Sequence, residues 1–340
     1  MRQARIKADG TGCYHVISRI VDRNFRMDDS EKEIFRGMMR RAETFCGVRV
    51  LTYAILSNHF HLLVEVSPCG VIPETELIRR IGVLYGAGYA ADMTRQWAQW
   101  RRNGTAYLVD EQQDKMRKRM GDLSAFVKTL KQRYSMSYNG RYARKGTLWE
   151  DRFKSVLVEN APHAKATVAA YIDLNPVRAK LVEDPKDYRW SGYGEAAGGS
   201  RQAREGLIAV HASRGLEQPG NWSHVAKRYR ILLYAKGEAR HALGQSDPIR
   251  PGISSAAVAQ IMETGGKLTL QQVLRCRVRY FTDGLAFGSK AFVNAIFTRN
   301  RRHFGPKRKD GARKMRFAEW GELHVARALR IAPVQRSLTT

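Results

Sequence analysis

The chain has 340 residues, 43% of them hydrophobic, which is enough to bury a core and excludes wholesale disorder. Lys and Arg number 59 against 32 Asp and Glu, a formal charge of +27. Such a chain repels itself unless a polyanion binds it, so nucleic acid is the first candidate partner and an anionic membrane surface the weaker one. The longest apolar stretches, such as residues 231–235, are far too short to span a bilayer, and residues 1–10 lack the apolar core of a signal peptide. Cys13, Cys46, Cys69 and Cys276 are scattered with no C-x-x-C, which sets aside a disulfide framework and a zinc ribbon; a soluble, reduced, cytoplasmic protein is expected.

Residues 13–21 (CYHVISRIV) read as a strand after a Thr-Gly turn. Residues 29–46 read as a helix capped by Asp29 or Ser30, with Glu33 closing a capping box from Ser30 and an apolar stripe of Ile34, Met38, Met39 and Phe45; Gly47 ends it. VRVLTYAIL and HFHLLVEV follow as an antiparallel hairpin with Ser57-Asn58 between them. Residues 70–121 mix Pro, Gly and charge and read as an irregular, partly helical insertion. Residues 122–139 form a clearer helix, 147–158 (TLWEDRFKSVLV) a strand, and 162–174 a helix that begins with Pro162 and is ended by Pro176.

The order strand, helix, hairpin, helix, strand, helix is that of a ferredoxin-like α+β fold, an antiparallel sheet with helices on one face. The small, polar, Gly-rich stretch 194–220 reads as a linker. Residues 223–244, 254–263, 268–281, 289–303 and 316–329 look helical, with Ser289 as a cap and a helix-turn-helix possible across 268–303. The expected organisation is a domain at 1–195 containing the insertion 70–121, a linker at 196–222, and a mainly α-helical basic region at 223–340 that binds DNA.

Two constellations carry candidate chemistry. His59-Phe60-His61 opens an apolar strand, so the two histidines share one face while Phe60 points to the other. Imidazoles about 7 Å apart along a strand can converge on one cation, although taken alone the pair reads first as two half-exposed strand histidines. Tyr171 and Asn175, four apart before Pro176, are neighbours on one helix face. A phenol and a carboxamide there can face a metal-held phosphate; taken alone they read first as a packed ring and an asparagine C-cap.

Together and in this order, LTYAILSNHFHLLVEV (51–66), GTLWEDRFKSVLVEN (146–160) and YIDLNPVRAKLVEDPKDYRWSGY (171–193) resemble the single-tyrosine HUH transposases, and most closely the REP-associated tyrosine transposases (RAYT). The resemblance covers roughly residues 11–195, with 70–121 outside the usual pattern. It implies an HUH endonuclease core in which His59 and His61 hold Mg²⁺ or Mn²⁺, Asn175 completes the site where many relatives carry Gln, and Tyr171 is the nucleophile. It implies a single-stranded DNA endonuclease and strand transferase acting on hairpins such as repetitive extragenic palindromes. The product is a 5′-phosphotyrosine and a free 3′-OH, and the reaction is reversible without ATP. A monomer or homodimer at the nucleoid is the expected form.

The chemistry is consistent with those roles. A phenol, with a pKa of about 10, is a poor nucleophile at neutral pH. A metal on the scissile phosphate neutralises its charge and fixes the line of attack. Imidazole ligands are unusual for magnesium, which makes manganese a reasonable occupant.

Two rival readings stand beside this one. Tyr134, Tyr138 and Tyr142 recur at i+4, the nucleophile pattern of two-tyrosine rolling-circle initiators and relaxase-type nickases, but also that of rings packed on a sheet or stacked on bases. A domesticated, non-catalytic DNA-binding regulator is the other rival, and it has no need of His59, His61 and Tyr171 together.

Arg152 and Lys154 on the strand 147–158, with Arg141, Arg144 and Lys145 in the turn before it and Trp149 interleaved, are candidate DNA contacts; the alternative is a solvated charged face. Residues 299–316 carry nine basic residues against one acidic, and Arg301, Arg302, Lys307, Arg308 and Lys309 are candidate phosphate clamps.

Overall fold

The computed structural model describes residues 5–24, 26–212, 221–234, 240–241, 248–250, 269–274, 279–316 and 318–327. The expected helix 254–263, and parts of those at 223–244, 268–281 and 316–329, lie outside the described residues.

Strand β1 (Gly12–Arg19) leads into helix α1 (Asp29–Cys46) and the hairpin β2 (Arg49–Ile55) and β3 (His59–Val66). The α1 cap is Asp28, whose carboxylate accepts from the Glu31 N–H. This is one residue ahead of the expected Asp29 or Ser30, because Ser30 Oγ donates to Asp28 instead of opening a capping box. Gly47 ends α1 at φ 61°, the left-handed conformation that favours glycine.

Residues 70–121 are more regular than expected, forming α2 (Glu74–Tyr85), α3 (Ala87–Arg102) and α4 (Tyr107–Arg117). The charges that obscured the helical pattern pair along and between these helices: Glu76 with Arg79 and Arg80, Glu74 with Arg101, and Glu111 with Lys115. Their inner faces bury Leu77, Ile81, Leu84, Met93 and Trp97.

Helix α5 (Leu123–Arg141) and strand β4 (Lys154–Val158) follow. The expected strand 147–158 is real only over its last five residues. Trp149 makes an isolated bridge to Ile20, and Leu148 and Trp149 sink into the core, so residues 147–153 touch the end of β1 at one bridge and otherwise cross the sheet end. Helix α6 (Pro162–Asp173) starts on Pro162 as expected. It breaks at Leu174, and Pro176 then stands in the first turn of a short helix α7 (Asn175–Arg178), where the missing N–H costs nothing.

The first four strands lie in the order β2-β3-β1-β4, all antiparallel, which is the ferredoxin-like order. Helices cover both faces, not one. Tyr14, Val16, Phe60, Leu62 and Val64 pack with α1 and α5, while the alternate residues Cys13, Leu63, Val156 and Val158 pack with α6 and later helices.

Where a linker was expected, α8 (Gly192–Ala197) and α9 (Arg201–His211) form, followed by α10 (Trp222–Leu233), a short strand pair β5 (Arg240–His241) and β6 (Pro248–Arg250), and α11 (Leu270–Leu274). Among the described residues the later chain is not mainly helical. Strand β7 (Gly284–Ser289) pairs parallel with β4, α12 (Lys290–Arg299) follows with Ser289 capping it as expected, and β8 (Arg313–Lys314) and β9 (Leu323–Arg327) complete the sheet. The result is an α+β fold whose main sheet is mixed, in the order β2-β3-β1-β4-β7-β9-β8. Its strands come from both sides of the expected boundary at 196–222. Among the described residues no helix is long and apolar enough to cross a membrane.

Candidate metal and nucleophile site

His59 and His61 start β3 in the middle of the sheet, with His61 opposite Ile17 of β1 and Ala54 of β2. Alternation turns both imidazoles to the α6 face and Phe60 into the opposite core. His61 is buried and His59 half-buried, their ring centroids 5.1 Å apart. His59 Nδ1 lies 2.7 Å from Asn58 Oδ1.

Helix α6 is built from small residues, and every residue from Ala164 to Asp173 is buried. Alanines let the helix axis lie close to the sheet and bring Tyr171 over the histidines: its ring centroid is 6.1 Å from that of His15 and 6.3 Å from that of His61, edge-on to both. Two residues later, the buried Asp173 carboxylate accepts from Thr52 Oγ1 of β2, the Tyr193 N–H of α8 and the Tyr229 hydroxyl of α10. Burial pushes that carboxyl up to about 7. The network fixes the C-terminal end of α6, and with it Tyr171, in three directions.

His59, His61, Tyr171 and Asn175 line one cavity of about 890 Å³. Arg152 and Lys154 stand in its wall with Arg19, Arg178 and Arg279, facing Glu150, Asp151 and Asp283. The wall is thus basic in excess, suited to a phosphate backbone. Among the described residues no cluster of three His, Cys, Asp or Glu is placed to hold a metal. The donor set is two imidazoles and one carboxamide, and it fits a borderline cation such as Mn²⁺ better than Mg²⁺. Burial holds His61 well below the usual imidazole range, so its ring is neutral and offers a lone pair at neutral pH.

Three residues that sequence reasoning passed over complete the site. His15 of β1 sits beside His61, its Nε2 2.9 Å from His61 Nδ1 and its own Nδ1 2.9 Å from the Phe281 carbonyl. Burial pushes His15 down to about 3, with the Arg178 guanidinium acting in the same direction, so it is neutral. Arg178 lies over the Tyr171 ring at 4.0 Å and donates from Nη2 to the Tyr171 carbonyl, 2.6 Å, and from Nη1 to that of Leu274, 2.8 Å. The Phe281 ring also packs on Tyr171, ring centroids 4.4 Å apart and planes 33° apart. A signal for His15 existed, because the ferredoxin order places β1 next to β3. Nothing in the sequence foretold Phe281.

The candidate DNA contacts divide. Lys154 leads β4 and Arg152 precedes it in the loop, not on the strand, yet both line the cavity. Lys145, Arg302, Lys307 and Lys309 are exposed. Arg144 donates to the Thr147 carbonyl and ties its own turn. Arg141 is bound bidentately by the buried Glu31 carboxylate. Trp149 is no stacking platform: it is 7% exposed, packs on Phe35, Phe60 and Tyr134, and donates from Nε1 to the Lys131 carbonyl. Arg301 and Arg308 bind loop carbonyls, Arg301 those of Phe304, Gly305 and Pro306, and Arg308 those of Asp310, Gly311 and Arg327. Tyr134 and Tyr138 are buried in the core on the opposite face of the sheet from Tyr171. For these two rings the packing reading is the one realised, while Tyr142 is exposed.

No family model matches this sequence, and no curated protein matches it. Among solved structures the fold is similar to that of a REP-associated tyrosine transposase bound to a REP hairpin, at 12% identity, covering 65% of this chain and 94% of that one with a TM-score of 0.37. It is also similar to a candidate transposase from Deinococcus radiodurans R1, at 15% identity, covering 53% of this chain and 92% of that one with a TM-score of 0.26.

Proposed function

We propose that the protein is a metal-dependent nuclease and strand transferase for hairpin-bearing single-stranded DNA, with Tyr171 as nucleophile. The observation that carries this reading is the meeting of His59 and His61 from β3 with Tyr171 and Asn175 from α6 and α7 in one basic-walled cavity. The motif resemblance supplies the reaction class. The sequence-level rival based on Tyr138 loses its ground, since that ring is 5% exposed in the opposite core.

His59, His61 and Asn175 would hold a divalent cation, which when bound neutralises the scissile phosphate and polarises phosphorus. Arg152 and Lys154 position the strand through its phosphates. The Tyr171 phenol gives up its proton to solvent as its oxygen attacks phosphorus, the new bond forms as the bond to the 3′ oxygen breaks, and the 3′ oxygen takes up a proton in return. The product is a 5′-phosphotyrosine and a free 3′-OH. Phe281 and Arg178, both packed against the Tyr171 ring, hold the phenol in its line of approach.

Tyr171→Phe removes only the hydroxyl, so folding and hairpin binding are expected to persist while cleavage and the denaturant-stable DNA adduct disappear. An adduct that survives in Tyr171→Phe and is lost in Tyr138→Phe would overturn the assignment. His59→Ala and excess EDTA are each expected to stop cleavage with DNA binding reduced much less, as phosphate contacts carry most of the affinity.

A further inference from the structure

The ring planes of His15 and His61 are 24° apart, and His15 Nε2 lies 2.9 Å from His61 Nδ1, within hydrogen-bond distance. The second nitrogen of His15 meets the Phe281 carbonyl oxygen at 2.9 Å. A carbonyl only accepts, so His15 Nδ1 carries the proton. A neutral imidazole has one donor and one acceptor, so His15 Nε2 accepts and His61 Nδ1 must donate. We infer that His15 is a positioning residue that locks His61 as the Nδ1–H tautomer and leaves the His61 Nε2 lone pair directed at the cavity for a divalent cation.

The chain of donors runs one way: His61 Nδ1–H to His15, then His15 Nδ1–H to the backbone at Phe281. Both His15 nitrogens are used, so His15 is not itself a ligand. In the other His61 tautomer Nε2 carries the proton and cannot ligate. Ligating histidines generally donate their second N–H to a fixed acceptor that orients the ring; here the acceptor is another histidine, anchored by a residue more than two hundred positions later in the chain. The orientation of a metal ligand near the start of the chain thus depends on the segment that leads into β7.

The inference rests on the metal-site reading, but its first test does not need a metal. Long-range ¹H–¹⁵N correlation of the histidine rings in the metal-free full chain is expected to show His61 protonated at Nδ1 and bare at Nε2. A His61 protonated at Nε2 in the wild type overturns the inference whatever the enzyme does. The second test uses Mn²⁺ alone, titrated by calorimetry. His15→Leu fills the space without hydrogen bonds, and His15→Gln keeps one donor and one acceptor. His15→Leu is expected to shift His61 toward the Nε2–H form and to weaken Mn²⁺ by about tenfold to a hundredfold, with His15→Gln recovering most of the affinity. A folded His15→Leu that binds Mn²⁺ like the wild type overturns the inference. If His15→Leu does not fold, the wild-type tautomer and His15→Gln decide it. A wild type that shows the expected tautomer but no Mn²⁺ binding sinks the metal reading of the cavity, a result distinct from the wrong tautomer.

Discussion

Arg141 shows how a basic residue in a basic protein can be occupied structurally. Its guanidinium binds Glu31, which is 1% exposed and also accepts from the Tyr134 hydroxyl. Removing one partner of a buried pair strands the other charge out of water. Arg141→Ala is therefore expected to destabilise the fold by about 2–3 kcal/mol, below the figure for a fully buried pair because the Arg141 side chain is 34% exposed. Its affinity for DNA at fixed salt is expected to stay within about twofold once folded protein is compared, because Glu31 and not a phosphate holds the guanidinium. Lys145→Ala, at an exposed position of the same turn, is expected to leave stability unchanged. Thermal unfolding and salt-matched binding of the two variants check this, and the opposite pattern would restore Arg141 to the DNA surface. His59, His61, Tyr171 and Asn175 were legible because each motif is local: the histidines share a strand face, and Tyr171 and Asn175 flank the one break between α6 and α7. The uses of Arg141 and Trp149 were not, because their partners, Glu31 and the Phe35–Phe60–Tyr134 cluster, are brought to them by tertiary packing alone.

Among the elements, glycine misled in two places for one reason. Gly206 sits in α9 where a linker was expected, and a Cβ there would come within 2.6 Å of the Leu51 carbonyl of β2. Gly288 sits in β7 between two expected helices, and a Cβ there would meet Glu159 at 2.5 Å. Both glycines permit close approach of backbone rather than a turn. The first half of the sheet was readable from β-branched runs and hairpin spacing; β7 was not, because it is short, contains glycine at both Gly284 and Gly288, and pairs with a strand far away in sequence. The same element carries a prediction. Phe281, Phe287, Trp320 and Val325 belong to the buried cluster that contains Tyr171, and Phe281 supplies the carbonyl that anchors His15. A fragment ending at residue 212 leaves β4 without its neighbour β7, and Tyr171 without its stacking partner. It is expected to be poorly soluble or, where soluble, to nick a hairpin substrate at least about 100-fold more slowly than the full chain, the scale of loss that a small misplacement of reacting groups brings. A soluble 1–212 fragment that nicks at the full rate would show that the later strands are dispensable to the site.

For the molecule as a whole, charge and shape ask for different things. The +27 charge attracts any DNA, duplex or single-stranded, and that attraction falls steeply with salt. The cavity is more selective. It lies between the sheet face and the turn α6–α7, and Tyr171 at its wall is 3% exposed, so a phosphate reaches the phenol only if the backbone bends into the cleft. A regular duplex is stiff over this length, with a persistence length of about 150 base pairs, and keeps its backbone wound around stacked pairs. A single strand anchored by a neighbouring hairpin can turn a phosphate inward, held by Arg152 and Lys154 from the wall. Cleavage is therefore expected on a hairpin with a single-stranded flank and little or none on the same sequence annealed to its complement, in Mn²⁺ or Mg²⁺. Binding of the two is expected to differ far less than their cleavage, and both bindings are expected to weaken together as salt rises. An end-labelled oligonucleotide in the two forms separates these quantities. Equal cleavage of both would mean that duplex backbone reaches Tyr171 unaided, and the mechanism would have to be rebuilt as that of a duplex nuclease.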